Sequence, residues 1–504
     1  MNMDINILAE TARRSLDPFF NPKNIAVIGA SRDPYSPGWV IFKLLTEAHK
    51  AGKLKAKVFG VNPKGGSLFG NTLYKNINEI PCDVDHIVVV VPARYVPKVL
   101  EDAGKKGTKV ATIISAGFSE IGNVELEEQV IKLARTYGIR IIGPNGLGVF
   151  DAYSGIDTMF LPYNKAAGDR ELLAAPRPKP GFVMFISQSG ALGVSVLDYM
   201  YGEGLGISKF ISYGNKADVD ETDALLYALE DEKTRVVMIY VEGIKKQGKK
   251  FVEIGKEFSK RKPIVILKGG RTSAGARAAA SHTASLAGNI KIYDAVFNEI
   301  GAIVCNDLTE FLDTTKALAF QPPAAGRNVA IITNGGGAGI LASDKAEMLG
   351  LNIPPPQDDL LKKLKTAQKE GLIPPVATFA NPFDLSGSAT NESYKVALEY
   401  VLSDNSYDAI LLIALHHVPL LTSEFIDEIA NITFKYKKPI VAVDVGGAEM
   451  AIWVREKFDR LGIPAYPTPE RGISALNALV KYGTFLKKHN LLNEYLNKWT
   501  KPTR

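Results

Sequence analysis

Asn24-Ile-Ala-Val-Ile-Gly29-Ala-Ser-Arg-Asp-Pro-Tyr-Ser-Pro-Gly38, followed by Val40-Ile-Phe-Lys-Leu-Leu45, decides how the chain is read. An apolar run without polar alternation is a strand covered on both faces, and the spacing beyond the small-residue turn predicts a helix. The same unit recurs along the chain. Val- and Ile-rich runs at 57–61, 86–91, 109–114 and 139–142 complete a first group, and 182–186, 209–212, 236–241, 263–267 and 302–304 form a second. A third group runs through 328–333, 409–413 and 439–443. Strands alternating with helical stretches predict an α/β fold of three successive doubly wound parallel-sheet domains, over 1–150, 151–320 and 321–504. The Pro- and charge-rich stretch 163–181 and Gln321-Pro-Pro-Ala-Ala-Gly-Arg327 interrupt the pattern as boundaries.

At 504 residues the chain exceeds one core, and its net charge of +6 is spread among acids rather than gathered in a stripe. That excludes nucleic acid as the expected partner. No apolar run is long enough to span a membrane, and residues 1–21 lack the apolar core of a secretory signal, so a cytoplasmic protein is expected. Cys82 and Cys305 lie in apolar contexts and are expected as buried thiols without a disulfide.

Ligands of wound sheets lie at the carboxyl ends of the strands. The turn 29–38 opens a helix and suits a diphosphate, with Gly29, Ala30, Ser31 and Ser36 as its contacts. It is neither G-x-G-x-x-G nor a P-loop. The second strand ends in Val61-Asn62-Pro63-Lys64-Gly-Gly66, where an NAD site wants an acid; Lys64 instead suits a phosphorylated ribose, so coenzyme A is preferred. Pro92, Ser115-Ala-Gly117 and Gly143-Pro-Asn145 end neighbouring strands and are expected along the pantetheine arm.

The second group carries phosphate chemistry. Ser187-Gln188-Ser189-Gly190 leaves a strand for a helix and presents amides and hydroxyls to an anion. His282 lies in Lys268-Gly-Gly-Arg-Thr-Ser-Ala-Gly-Ala-Arg-Ala-Ala-Ala-Ser-His282-Thr-Ala-Ser-Leu-Ala-Gly288, read as a loop of small residues that leaves the imidazole able to move and to act as a nucleophile. Such a histidine needs an acceptor on its other ring nitrogen, and Glu242, ending an apolar strand, is the candidate. The turn Gly214-Asn-Lys-Ala-Asp-Val-Asp220 faces the same edge. His416 and His417 have no nearby Cys or carboxylate cluster in the sequence and read as polar strand-end or interface residues; no metal site is expected.

Ser281-His-Thr283 with the trailing Leu-Ala-Gly288, Ser187-Gln-Ser-Gly190, Gly143-Pro-Asn145, Asn334-Gly-Gly-Gly337 and Asn381-Pro-Phe-Asp384 resemble the α subunit of ADP-forming acyl-CoA synthetases, and more distantly that of succinyl-CoA synthetase. The resemblance runs from about Asn21 to about Tyr482. It implies a Rossmann-like CoA-binding domain followed by two flavodoxin-like ligase domains. By it, His282 looks like the phosphorylated histidine, Glu242 its stabilising acid, Ser189 and Gly190 the phosphate-holding helix start, and Gly29, Ser31, Lys64, Ser115 and Asn145 the CoA contacts. It further implies a small carboxylic acid or acyl-CoA as substrate, an acyl phosphate intermediate, and ADP or ATP with Mg2+ on a separate ATP-grasp β subunit, in a heterodimer or heterotetramer. Two positions depart from the family pattern: Ala284 where many relatives have Gly, and Gly146 where many have Cys. The rival expectation is a CoA-binding regulatory module of the same fold without ligase activity.

Overall fold

The computed structural model describes residues 4–244, 247–283 and 289–501, with the backbone alone for 280–283. Two compact units divide it, Met1–Val304 and Cys305–Arg504.

The first unit holds two principal sheets. In the seven-stranded one the order is Ser67–Leu68, Asn71–Tyr74, Lys57–Val61, Asn24–Ile28, His86–Val89, Val110–Ile113, Arg140–Ile142. All pairings are parallel except the Ser67–Leu68/Asn71–Tyr74 hairpin. Asn24–Ile28 is the strand where chain order reverses, flanked by Lys57–Val61 and His86–Val89, and ligands of wound sheets lie at such a point. Because helices cover both faces, residues 86–89 and 110–113 are buried without alternation. His86 is carried inside by this pattern. Its Nε2 lies 2.8 Å from Thr112 Oγ1, its Nδ1 has no hydrogen-bond partner, and burial, outweighing the Asp85 carboxylate, pushes its pKa down to about 3.

The second sheet runs Ile303–Cys305, Ile264–Lys268, Val236–Val241, Pro180–Ser187, Ile207–Ser212, Gly148–Asp151. Its last strand is antiparallel and was not expected: Gly148-Val-Phe-Asp is too short to stand out from the turn before it. Two of the remaining departures concern function. Residues read as a mobile loop form a helix, Ser273–Thr283, in which alanine and arginine, both strong helix formers, fill much of the run. Within 163–181, an exposed antiparallel hairpin forms, Asn164–Ala167 with Arg170–Leu173. Cys305 is buried as expected, whereas Cys82 is only half-buried.

The second unit carries a six-stranded sheet ordered Thr378–Phe379, Phe383–Asp384, Val329–Thr333, Ala409–Ile413, Ile440–Val443, Ala465–Tyr466. Its long helix, Pro469–Lys488, starts cleanly: Thr468 accepts from the Arg471 amide and Pro469 occupies the first turn, where a missing N–H costs nothing.

Candidate functional site

At the carboxyl edge of the first unit, the turn after Asn24–Ile28 is set by close packing. Gly29 has φ +105°, and a Cβ there would lie 2.7 Å from the Val90 carbonyl oxygen, so only glycine lets the chain leave the strand here. Asp33 N donates to Ser31 Oγ at 3.0 Å, and Ser36 caps helix Pro37–Lys50 by accepting from Trp39 N. Asn62 Nδ2 donates to the Ala30 carbonyl at 2.8 Å while Asn62 Oδ1 accepts from Lys64 N at 3.0 Å, tying the turn 62–66 to the turn 29–36. Lys64 is left exposed.

The next two turns continue the same wall. Ser115 Oγ donates to the Val91 carbonyl, and Asn145 N donates to the Ser115 carbonyl at 3.0 Å. Asn215 joins them: its Nδ2 donates to Glu120 Oε2 at 2.6 Å and Glu127 Oε2 at 2.8 Å, and its backbone N to the Pro144 carbonyl at 2.9 Å. For Glu120, burial would raise the pKa, but the hydrogen bonds from Gly117 N and Asn215 hold it below the ordinary carboxylate value.

The turn Ser187–Gly190 supplies a second set of residues. Strand Pro180–Ser187 ends in Ser187, whose Oγ donates to the Ser189 carbonyl at 2.6 Å; Ser189 Oγ caps helix Gly190–Gly202 by accepting from Leu192 N. Gln188 is buried and turned across to the neighbouring strand end. Its Oε1 accepts from Glu242 N at 2.9 Å and Gly243 N at 3.4 Å. The Glu242 carboxylate, also buried, accepts from Tyr240 Oη at 3.3 Å. Two buried lysines hold the Glu242 turn from behind. Lys268 Nζ donates to the Glu242 carbonyl at 2.8 Å, and Lys216 Nζ, paired with Glu221 at 3.0 Å, donates to the Gly243 carbonyl. Burial lowers the Lys268 pKa, with Glu242 opposing it.

One cavity of about 800 Å³ joins the two walls, bringing Pro92, Ser115 and Asn145 together with Gln188, Ser189 and Gly190. Pro37 reaches it from the first turn. Gly29, Ala30, Ser31, Ser36, Lys64, Gly117 and Glu242 do not line it: the first five belong to the linked turns 29–36 and 62–66, Gly117 donates to Glu120, and Glu242 stands behind Gln188. His282 lies in helix Ser273–Thr283, but its side chain falls outside the described residues, as do Ala284 and the segment to Gly288. At Gly146, a cavity residue, a Cβ would sit 2.5 Å from the Ser212 carbonyl oxygen, so the backbone here leaves no room for a side chain.

Sequence reading missed Phe160 and Leu161, which supply apolar wall. Nothing in their spacing marks them, because they lie in no regular element. The structure also gives the stretch 163–181 a job: its Arg177 is buried, pairs with Asp157 at 2.9 Å and donates to the Leu161 carbonyl at 2.8 Å, fixing the loop that lines the cavity. Lys216 and Lys268 were visible as polar residues at strand ends, but their convergence on one turn was not.

In the second unit, Asn334 Oδ1 accepts from Leu415 N at 2.9 Å, and His416 Nδ1 lies 2.8 Å from the Asp444 carboxylate, whose pKa burial raises against the opposing hydrogen bond from His416. The His417 ring lies over that of His416 with centroids 3.9 Å apart.

Family models match along the chain in the same order: a CoA binding domain over 23–151, a succinyl-CoA ligase like flavodoxin domain over 180–318, and a ligase-CoA domain over 329–487. Acetate–CoA ligase [ADP-forming] I subunit alpha of Pyrococcus furiosus is 42% identical over 489 residues, covering 94% of this chain and 99% of the relative. Acetate–CoA ligase [ADP-forming] of Methanocaldococcus jannaschii is 39% identical over 94% of this chain but only 64% of its own length. The solved structure of the dinucleotide forming acetyl-coenzyme A synthetase 1 of Ca. Korarchaeum cryptofilum, in complex with phosphate and ADP, superposes with a TM-score of 0.84 at 36% identity, covering 94% of this chain and 98% of that one. The chain belongs to the family of ADP-forming acyl-CoA synthetase α subunits.

Proposed function

We propose that this chain is the α subunit of an ADP-forming acyl-CoA synthetase, interconverting acyl-CoA, ADP and phosphate with a carboxylic acid, ATP and CoA. The cavity shared by the CoA-side turns and the Gln188–Gly190 turn carries the reading, since a thioester and a phosphate must meet in one place. Segment 1–150 holds CoA through Gly29, Ala30, Ser31, Ser36, Lys64, Pro92, Ser115, Gly117 and Asn145, segment 151–320 carries the phosphoryl relay, and 321–504 completes the ligase.

Phosphate held by the amides and hydroxyls at 188–190 attacks the thioester carbonyl, CoA leaves as the thiol, and an acyl phosphate remains. A ring nitrogen of His282 then attacks phosphorus and the carboxylate leaves; Glu242 accepts the proton-bearing side of the imidazole and stabilises its charge. The phosphoryl group passes to ADP with Mg2+ on a partner of ATP-grasp type. In favour of a partner, the Methanocaldococcus jannaschii relative is longer than this chain, which matches only 64% of it. The assembly is a cytoplasmic heterodimer or heterotetramer.

The full chain alone should bind CoA yet make no thioester with ATP, and with its partner and ATP it should acquire acid-labile, base-stable phosphate. His282→Ala should abolish that label, and Glu242→Gln should slow its formation by roughly a hundredfold or more. Equal labelling in His282→Ala, or thioester synthesis by the isolated chain, would overturn the reading.

A further inference from the structure

Phe160 and Leu161 reach the cavity along a course that the backbone fixes. Beyond strand Gly148–Asp151 the chain turns back on itself: Asp157 bridges Phe150 in antiparallel sense, and Thr158 N donates to the Val149 carbonyl at 2.9 Å. Gly148 has φ +118°, and a Cβ there would lie 2.5 Å from Thr158 Oγ1, so the two segments run in close contact. Antiparallel neighbours advance in opposite directions, which returns the residues after Thr158 alongside Leu147 and Gly146. Leu147 in turn abuts the phosphate turn, since a Cβ on Gly190 would stand 3.3 Å from the Leu147 Cβ. The far end of the loop is pinned. Arg177 pairs with Asp157, donates to the Leu161 carbonyl and lies 4.7 Å from the Tyr163 ring centroid.

The wall beside the phosphate turn is apolar. Leu147, Phe160, Leu161 and Val194, the last one helical turn beyond Gly190, line the cavity, and among the described residues no charged side chain does. A thioester carbon attacked from 188–190 carries sulfur, which comes from the CoA-side turns, and oxygen; its remaining substituent, the acyl chain, is left this apolar wall. A second carboxylate on that chain would lie there unpaired. Resting on the reading of this cavity as the place of thioester cleavage, we infer that Phe160 is the specificity-determining residue for the acyl group, closing the pocket against larger chains. The half-buried ring packs against the hydrophobic core, and the Arg177 clamp holds its loop, so the wall resists displacement and sets a size limit.

Calorimetric titration of the full chain in phosphate-free buffer with CoA, acetyl-CoA and phenylacetyl-CoA tests this. Phe160→Ala should raise the affinity for phenylacetyl-CoA relative to acetyl-CoA by roughly tenfold or more, and Phe160→Trp should lower that ratio by a similar factor. Both should bind CoA within about twofold of wild type, which also reports that they are folded. A general loosening of the structure would not move the ratio in opposite directions. Phe160→Leu should shift it as alanine does, by less, and carries the test where the alanine variant loses CoA as well. A ratio unmoved in the leucine and tryptophan variants, or CoA affinities that change as much as those of the thioesters, would remove Phe160 from the acyl pocket and overturn the proposal while the CoA reading stands. Failure of wild type to bind any of the three ligands would sink both.

Discussion

The turn after Ser187 in the first unit and the turn after Thr333 in the second are built alike. In each, the hydroxyl of the last strand residue donates to the carbonyl two positions on: Ser187 to Ser189 at 2.6 Å, Thr333 to Gly335 at 3.0 Å. In each, an amide side chain at the next position crosses to the backbone beyond the adjacent strand, Gln188 to Glu242 and Gly243, Asn334 to Leu415. A helix then starts at Gly190 or Gly336. The side chains hung on this shared frame differ. The first presents a serine cap and a buried carboxylate backed by two lysines; the second has no side-chain cap and places the His416–Asp444 pair beyond its crosslink. The frame is a property of the sheet edge, and the chemistry resides in a handful of substituents on it.

Acid should separate the two units most strongly. His86, in the first, has a pKa pushed down to about 3, against about 6.5 in an unfolded chain. The unfolded state therefore takes up the proton first, so stability is complete above the unfolded value and declines as pH falls toward 3, by up to roughly 4–5 kcal/mol. Urea titrations between pH 7 and 4, read through Trp39 for the first unit and Trp453 or Trp499 for the second, should show this slope, and His86→Leu should flatten it. A wild-type profile as flat as that of the variant would break the contrast.

The crosslinks offer the next test. Gln188→Leu and Asn334→Leu each strand two backbone groups at a buried strand end, and each should cost about 2–4 kcal/mol in denaturant midpoint measurements. Similar losses would support a common frame; a neutral Asn334→Leu would mean that the second turn stands without its amide. The smallest effect concerns the cap. Ser189→Ala should cost about 1 kcal/mol of stability and weaken phosphate binding at the full chain, whereas the matching helix start at Gly336 in the second unit has no side-chain cap to lose.

Much of the site was legible before any fold was known. Ser187-Gln-Ser-Gly190 and Glu242 were found at strand ends, and Pro92, Ser115 and Asn145 prove to share the cavity with the first of these. The run 273–283 was misread because small residues suggest an open loop, whereas alanine is also the strongest helix former and the run is helical. Phe160, Leu161 and the bracing Arg177 escaped notice because a wall residue in a coil has no period to betray it.

By itself, the sequence determined which segments become strands, that their ends would carry glycine, serine and amide residues, and that an α/β architecture of wound sheets follows; these depend on hydrophobic period and local turn chemistry, both written within a few neighbouring residues. Only the tertiary structure decided that Gln188 would grip the Glu242 turn, that Lys216 and Lys268 would meet behind it, and that Arg32 would reach across to Gly65. Those contacts join residues up to 54 positions apart, and periodicity reports which face of an element is covered, not which distant atoms will touch it.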